Sequence, residues 1–337
     1  MRLVEHVPAT SMTFERFADY YYQPANGFAT DKRVKFQRLQ LVLLPDDSTR
    51  AAALRAGQVD IAPVGLASRQ QVEAGGGRLV FGPEAGYVYM SWYGAFKPQY
   101  PAHDKRVRQA LSYAVDRKSL RDSLWGPEVM QIVGWTDVTP STVGYSPEVD
   151  PFPFDLTKAR QLLSDAGYPG GSGFGKLVLN AQAGQGITNI PEAAQVVADG
   201  WRKNLGLDVE VRVGDANALK TQVTTTENLY GQLLMRDNNT RIDALTNTWR
   251  TYAGGTGFDR STEDPEVNTM VNDATGIFDP AQREKTLNAV YRRLADEQYD
   301  IAIGSYNVPW GVGPRVQSWQ PYPTAVYPSA LESITLK

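Results

Sequence analysis

The clearest periodicity in the chain lies between residues 104 and 124. Val107, Ala110, Leu111, Ala114 and Val115 recur at helical spacing, which predicts a helix with one apolar face. Asp104 precedes it where a carboxylate can accept the first unpaired backbone N–H groups. Asp116 stands in the same position ahead of Leu120 and Leu124, and Gly126-Pro127 would end this second helix. The same marks recur downstream. Asp155 opens a stripe of Leu156, Ala159, Leu162, Leu163 and Ala166, ended by Gly167. Asp264 precedes Val267, Met270 and Val271, and Asp279-Pro280 with Gln282 precedes Leu287, Val290, Tyr291 and Leu294.

Period two is strictest where Leu207, Val209, Val211 and Val213 alternate with Asp208, Glu210 and Arg212. Before it come a strand over Lys176 to Asn180 and a helix opened by Pro191. That helix carries Ala194, Val197, Ala198, Trp201 and Leu205 and is closed by Gly206. Strand, helix and strand at this spacing predict a βαβ crossover and hence parallel sheet.

Nearer the N-terminus, strands are predicted at Thr13 to Phe17, at Leu39, Leu41 and Leu43, and at Val59 and Ile61. A helix capped by Ser48 and closed by Gly57 lies between the last two, and another covers Leu66 to Ala74. Tyr87 to Tyr93 reads as a buried strand. From Pro127 a long irregular piece carries Pro140, Pro147, Pro151 and Pro153, as loops bordering a site often do. Gly231 to Met235 is predicted as a strand running into a polar loop that extends to Gly257, and Ile301 to Ile303 as a further strand. The whole is an α/β pattern of a length that suits about two domains.

Composition narrows the chemistry. A net charge of −3, spread over both signs, argues against nucleic acid as the main partner. With no cysteine, thiolate metal sites, thiol catalysis and disulfides are excluded. Two histidines, His6 and His103, give a Ser-His-acid triad little material, and HExxH, Walker A and GxGxxG patterns are absent. No cofactor or metal is expected. The surplus of 7 Trp and 17 Tyr suits either a core or a ligand cleft. No apolar run approaches the length of a membrane span. Lys105, Arg106 and Arg108 are the anomaly, because they crowd positive charge into a first turn where the helix dipole disfavours it. They are either a solvated basic edge or a functional patch.

The stretch DKRVRQALSYAVDRKSL resembles the signature of extracellular solute-binding proteins of family 5, the peptide, nickel and oligosaccharide receptors of ABC importers. The matching residues are Asp104, Arg106, Val107, Arg108, Ala110, Leu111, Ala114, Val115, Asp116 and Arg117. ALRAGQVDIA (Ala53 to Ala62) and FDLTKARQLLSDAGYPGG (Phe154 to Gly171) are similar to further segments of the family, in the same order. The resemblance implies a type II periplasmic-binding-protein-like fold, two lobes with a mixed sheet in each, joined by hinge strands. Residues 1–90 would form part of lobe I, 91–303 lobe II, and 304–337 a return to lobe I. Chain crossings are expected near Met90 to Tyr93 and near Ile303 to Tyr306. It also implies that a large N-terminal part precedes Met1 in the family, so that this chain by itself would bind weakly and expose apolar surface.

The implied function is capture of an oligopeptide or similar small solute in a cleft between lobes, for delivery to membrane-bound ABC permease subunits. An extracytoplasmic location and a monomeric receptor without enzymatic activity go with it. An oligosaccharide receptor of the same family, or a hydrolase on a similar frame, are the alternatives. Peptide receptors of the family hold the peptide's amino terminus on an acid in a Gly-Trp-x-x-Asp loop. The corresponding stretch here is Met235 to Asn239, without the Trp, so that Asp237 is the candidate acid and Arg236 suits an anionic or hydroxyl-rich solute. The other reading of Arg236 and Asp237 is a surface ion pair worth about 0–1 kcal/mol. Asn239, Trp249, Arg250 and Tyr252 are further candidate contacts, and Trp92, Tyr93 and Trp135 are candidates to line a cleft or pack beneath it. The basic turn at Lys105, Arg106 and Arg108 is a candidate contact to the permease or to lobe I.

Overall fold

A computed structural model describes residues 1–149, 152–184, 186–225, 227–253 and 263–337. Pro151 and the last part of the polar stretch, 254–257, lie outside the described residues. The chain divides into two compact units, Met1–Pro83 with Asn307–Lys337, and Glu84–Tyr306.

The first unit opens with β1 (Arg2–Val7), β2 (Ser11–Glu15) and β3 (Arg38–Val42). They form an antiparallel sheet in the order β1-β2-β3, with Thr13 opposite Glu5 and Gln40. Helix α1 (Asp47–Arg55), strand β4 (Ile61–Pro63) and helix α2 (Arg69–Ala74) follow. Ala51, Leu54, Ala62, Val64 and Val72 make a small core among them. Helix α1 starts one residue before Ser48, and no side chain caps it. The Asp47 carboxylate instead accepts from Gly65 N–H (2.9 Å) and Ser68 Oγ (2.7 Å). Gly57 has φ of 69°, the left-handed setting expected at a helix end.

Strand β5 (Arg78–Trp92) begins in the first unit and ends in the second, which holds the following elements. They are α3 (Lys105–Tyr113), α4 (Arg117–Leu124), β6 (Met130–Gln131), α5 (Leu156–Asp165), β7 (Lys176–Ala183), α6 (Ile190–Leu205), β8 (Asp208–Asp215), α7 (Ala216–Thr225), β9 (Leu233–Asn239), α8 (Leu245–Tyr252), α9 (Pro265–Thr275), α10 (Pro280–Glu297) and β10 (Asp300–Val312). The sheet order in this unit is β10-β5-β9-β7-β8, with β6 beside β10. β5 and β9 are antiparallel, whereas β9, β7 and β8 are parallel. The β7-α6-β8 crossover therefore forms as the spacing predicts. Its helix buries Ala194, Val197, Ala198, Trp201 and Leu205 and ends at Gly206 with φ of 71°. In the first unit the end of β10 pairs with β4, and β11 (Val316–Ser318) pairs with β12 (Thr335–Leu336).

All five predicted aspartate caps form. Asp104, Asp116, Asp155, Asp264 and Asp279 each accept a backbone N–H of the first turn of α3, α4, α5, α9 and α10. Two segments differ from expectation. β9 continues through Asn239, so Arg236, Asp237 and Asn239 are strand residues. Trp249, Arg250 and Tyr252 lie on α8. The polar residues stay extended because β5 supplies a ladder partner for each, from Tyr89 opposite Arg236 to Gly86 opposite Asn239.

The basic first turn of α3 is explained by what lies around it. Lys105 Nζ meets Asp296 Oδ2 at 2.5 Å and Glu297 Oε1 at 3.3 Å, at the end of α10. Arg106 forks onto its own cap, Asp104, and donates to the Asp165 carbonyl at the end of α5 (2.8 Å). Arg108 is 2 % exposed. Its guanidinium pairs with Glu297 Oε2 (2.8 Å), donates to the carbonyls of Glu297, Ala102 and His103, and sits 4.5 Å from the Tyr299 ring centroid. Neither a solvated edge nor an open contact patch describes Arg108. The charges tie the start of α3 to the ends of α5 and α10.

Candidate solute-binding face of the second unit

Strand β9 places Arg236 and Asp237 side by side, and neighbouring strand residues leave opposite faces of the sheet. They therefore do not form the surface ion pair considered above. Arg236 stands opposite Tyr89. Its Nε donates to the Tyr89 hydroxyl at 2.7 Å and its guanidinium carbon lies 5.4 Å from the Tyr89 ring centroid. The Tyr89 ring in turn lies 5.1 Å from that of Tyr87.

Asp237 faces a different set of donors. Gln182 Nε2 (2.8 Å), Ile187 N–H (3.1 Å) and the Tyr306 hydroxyl (2.9 Å) all donate to its carboxylate. Burial pushes the Asp237 carboxyl above the ordinary carboxylate range, while these hydrogen bonds act in the opposite direction. Gly186 closes over it with φ of 77°, and a Cβ there would overlap the carboxylate. The acid thus fastens the loop before α6 to β9 and β10. Asn239 is exposed at the end of β9.

On α8, Trp249 is 38 % exposed, and its Nε1 donates to Asn272 Oδ1 (2.9 Å). Arg250 is half-buried in the last turn. Tyr252 is buried against Trp135, with ring centroids 6.2 Å apart, and its hydroxyl donates to Asp300 Oδ2 at 2.5 Å. Trp92 is fully buried opposite Leu233. Tyr93 packs with Leu219, Val223, Leu229 and Leu234. Arg236, Asp237 and Asn239 are thus brought to one strand end, and Trp249 and Arg250 to one helix. Trp92, Tyr93, Trp135 and Tyr252 are buried.

Sequence reasoning passed over Asp137, Tyr87, Asn247, Gln182 and Tyr306. Asp137 sits in the proline-set loop with φ of 64° and is buried. Asn247 Nδ2 donates to it (3.3 Å), and the Tyr87 hydroxyl acts on it from β5. Burial raises its carboxyl to about 6, against the pull of these bonds and of the Arg241 and Arg236 charges. Tyr87 and Tyr89 share one face of β5 by simple alternation, and that was the signal available. Asp137 has none, since its burial depends on how an irregular loop folds back.

A separate hollow of about 340 Å³ lies among β7, β8 and α7, lined by Asn180, Arg212, Leu219, Gln222, Asn228 and Gln232. It contains none of the candidate contact residues. Among the described residues no group of three or more His, Asp or Glu is placed to hold a metal ion, and no helix is long and apolar enough to cross a membrane.

β9 thus carries an arginine, an acid and an asparagine toward one strand end of a mixed sheet. Residues 2–260 match the family model of bacterial extracellular solute-binding proteins, family 5 Middle, and the chain belongs to that family. The oligopeptide-binding protein OppA of Bacillus subtilis is 25% identical over 289 residues, covering 82% of this chain and 51% of its own length. The chain thus spans about half the length of the curated relatives it matches. Among solved structures, the ABC transporter substrate-binding protein CtaP from Listeria monocytogenes superposes with a TM-score of 0.81 at 18% identity, over 99% of this chain and 65% of that one. The oligopeptide-binding protein AppA of Bacillus subtilis, in complex with a nonapeptide, gives 0.72 at 19% identity, over 100% and 66%. The fold is that of the two-lobed periplasmic binding proteins.

Proposed function

We propose that this chain is the substrate-binding component of an ABC importer, capturing a peptide-like or other small polar solute without chemical conversion. The observation that carries this is membership of family 5, together with extended similarity to an oligopeptide-binding protein. Delivery would be to permease subunits in the membrane, from an extracytoplasmic location and as a monomer. The unit Glu84–Tyr306 serves as the second lobe.

Arg236, Trp249 and Arg250 are the residues we assign to solute contact, since each retains exposure on β9 or on α8, whereas Asn239 leaves the opposite face of the sheet from Arg236. An arginine beside a tyrosine ring suits a carboxylate or a peptide carbonyl, and an exposed indole suits an apolar side chain. Asp237 holds the architecture around them, because its two oxygens already accept from three groups of its own unit.

Thermal-shift screening against short peptides, oligosaccharides and metal chelates tests the reading, with chromatography of each mixture afterwards. A rise in Tm confined to peptides, recovered intact, is the expected result. A rise with oligosaccharides alone would transfer the assignment to a sugar receptor, and accumulation of a cleavage product would overturn the binding role.

A further inference from the structure

Asp137 is a buried carboxylate with no part in the capping or core packing described above, and its surroundings connect it to Arg236. It sits on the proline-set loop in a left-handed backbone setting, φ of 64°, that non-glycine residues adopt only when the surrounding structure enforces it. Thr142 lies against the loop there, its hydroxyl 3.3 Å from the Arg241 carbonyl and 3.4 Å from the Asp137 carbonyl, with one proton to give to either. Ser141 N–H donates to Glu84 on β5 (2.8 Å), a second attachment.

The groups facing the carboxylate come from four elements. Asn247 Nδ2 on α8 donates to it (3.3 Å), and the Tyr87 hydroxyl acts on it from β5. The charges of Arg236 on β9 and Arg241 just beyond it act on it. The hydroxyls of Tyr252 on α8 and Tyr291 on α10 feel its charge in turn. From Tyr87 the contacts continue to the Tyr89 ring, and from the Tyr89 hydroxyl to Arg236 Nε.

We propose that Asp137 is a positioning residue: through Tyr87 and Tyr89 it sets the orientation in which Arg236 presents its guanidinium to the solute. Ionised, the carboxylate accepts from Tyr87 and fixes which way that hydroxyl points. Protonated, it becomes a donor itself, and the Tyr87 hydroxyl is released to turn. The consequence for a solute rests on the reading of Arg236 as a contact; the link from Asp137 to Arg236 does not. Because burial brings the carboxyl to about 6, both charge states are populated in a mildly acidic medium.

The test follows the Arg236 Nε–H resonance by nitrogen NMR from pH 5 to 8 in the solute-free chain, assigned by Arg236→Lys. It is repeated in Asp137→Asn and Tyr87→Phe. The expected result is a shift with a midpoint near 6 in the parent chain and a flat trace in both variants. A flat parent trace overturns the proposal. So does a shift that survives Asp137→Asn, which would trace it to another group. Survival in Tyr87→Phe alone also overturns it, because the carboxylate would then act on Arg236 through space and not through the tyrosines. With a peptide identified by screening, affinity should change about fivefold across the same range and lose that dependence in Asp137→Asn. Failure of any peptide to bind would count against the proposed function, while the resonance still decides the role of Asp137.

Discussion

The sheet β1-β2-β3 and the sheet built on β5, β9 and β7 end in opposite environments. Thr13 is the one buried position among the described residues of β1, β2 and β3, and Leu3, Val4, Val7, Met12, Leu41 and Val42 stay exposed. From Ala85 to Trp92, every residue of β5 is buried, and β7 is buried from Leu177 to Ala181. The second unit supplies its own covering, with α6 laying a full apolar stripe beside β7 and β8. Alternation decides which side chains share a face. Whether that face is dry depends on elements elsewhere in the chain.

The comparison breaks most sharply at the buried cations of the second unit. Arg117 is 5 % exposed and donates to the carbonyls of Ala302 (2.6 Å), Ser112 (3.0 Å) and Phe152 (2.9 Å) and to Ser112 Oγ (2.8 Å). Burial holds its guanidinium down at about 10. Arg117→Ala would strand several buried acceptors and should cost about 3–5 kcal/mol in urea denaturation. Arg106→Ala, which removes an exposed fork onto Asp104, should cost at most about 1 kcal/mol.

Next in size is Gly186→Ala. It strains a φ of 77° and drives a methyl into the Asp237 carboxylate, so about 2–3 kcal/mol should be lost, read as a lowered urea midpoint. Asp137→Asn should move in the other direction. A carboxyl raised from 3.8 to about 6 is protonated in the folded chain where the unfolded chain is ionised. Stability therefore falls as pH climbs through that window and is lowest above it. The amide escapes this cost, so the variant should be more stable by about 1–3 kcal/mol at pH 7 and show no gain near pH 4. Thermal melts across that range check both halves. Smallest is Val4→Lys on β1, expected to change stability by no more than about 0.5 kcal/mol, read as an almost unmoved urea midpoint.

These cases also mark how far the chain could be read unaided. The five aspartate caps and the β7-α6-β8 crossover were readable because capping and alternation are local chemistry, complete within a few residues. Arg236 to Asn239 read as loop, since four polar residues carry little strand preference, and only pairing with β5 keeps them extended. The α3 cations looked out of place because their carboxylate and carbonyl partners at Asp165, Asp296 and Glu297 are remote in sequence. Of the site residues, Arg236 and Asp237 could be proposed from a family pattern. Asp137, Tyr87 and Asn247 could not, because what joins them is the course of an irregular loop.

Capture of a peptide-like solute beside Arg236 on β9 is the central proposal. Titration calorimetry with a peptide from the screen, comparing the parent chain with Arg236→Ala, addresses it most directly. Saturable one-to-one binding of uncleaved peptide, weakened about tenfold or more in the variant, is the expected result. Equal affinity in the two chains, or heat that continues to evolve as peptide is consumed, would contradict it.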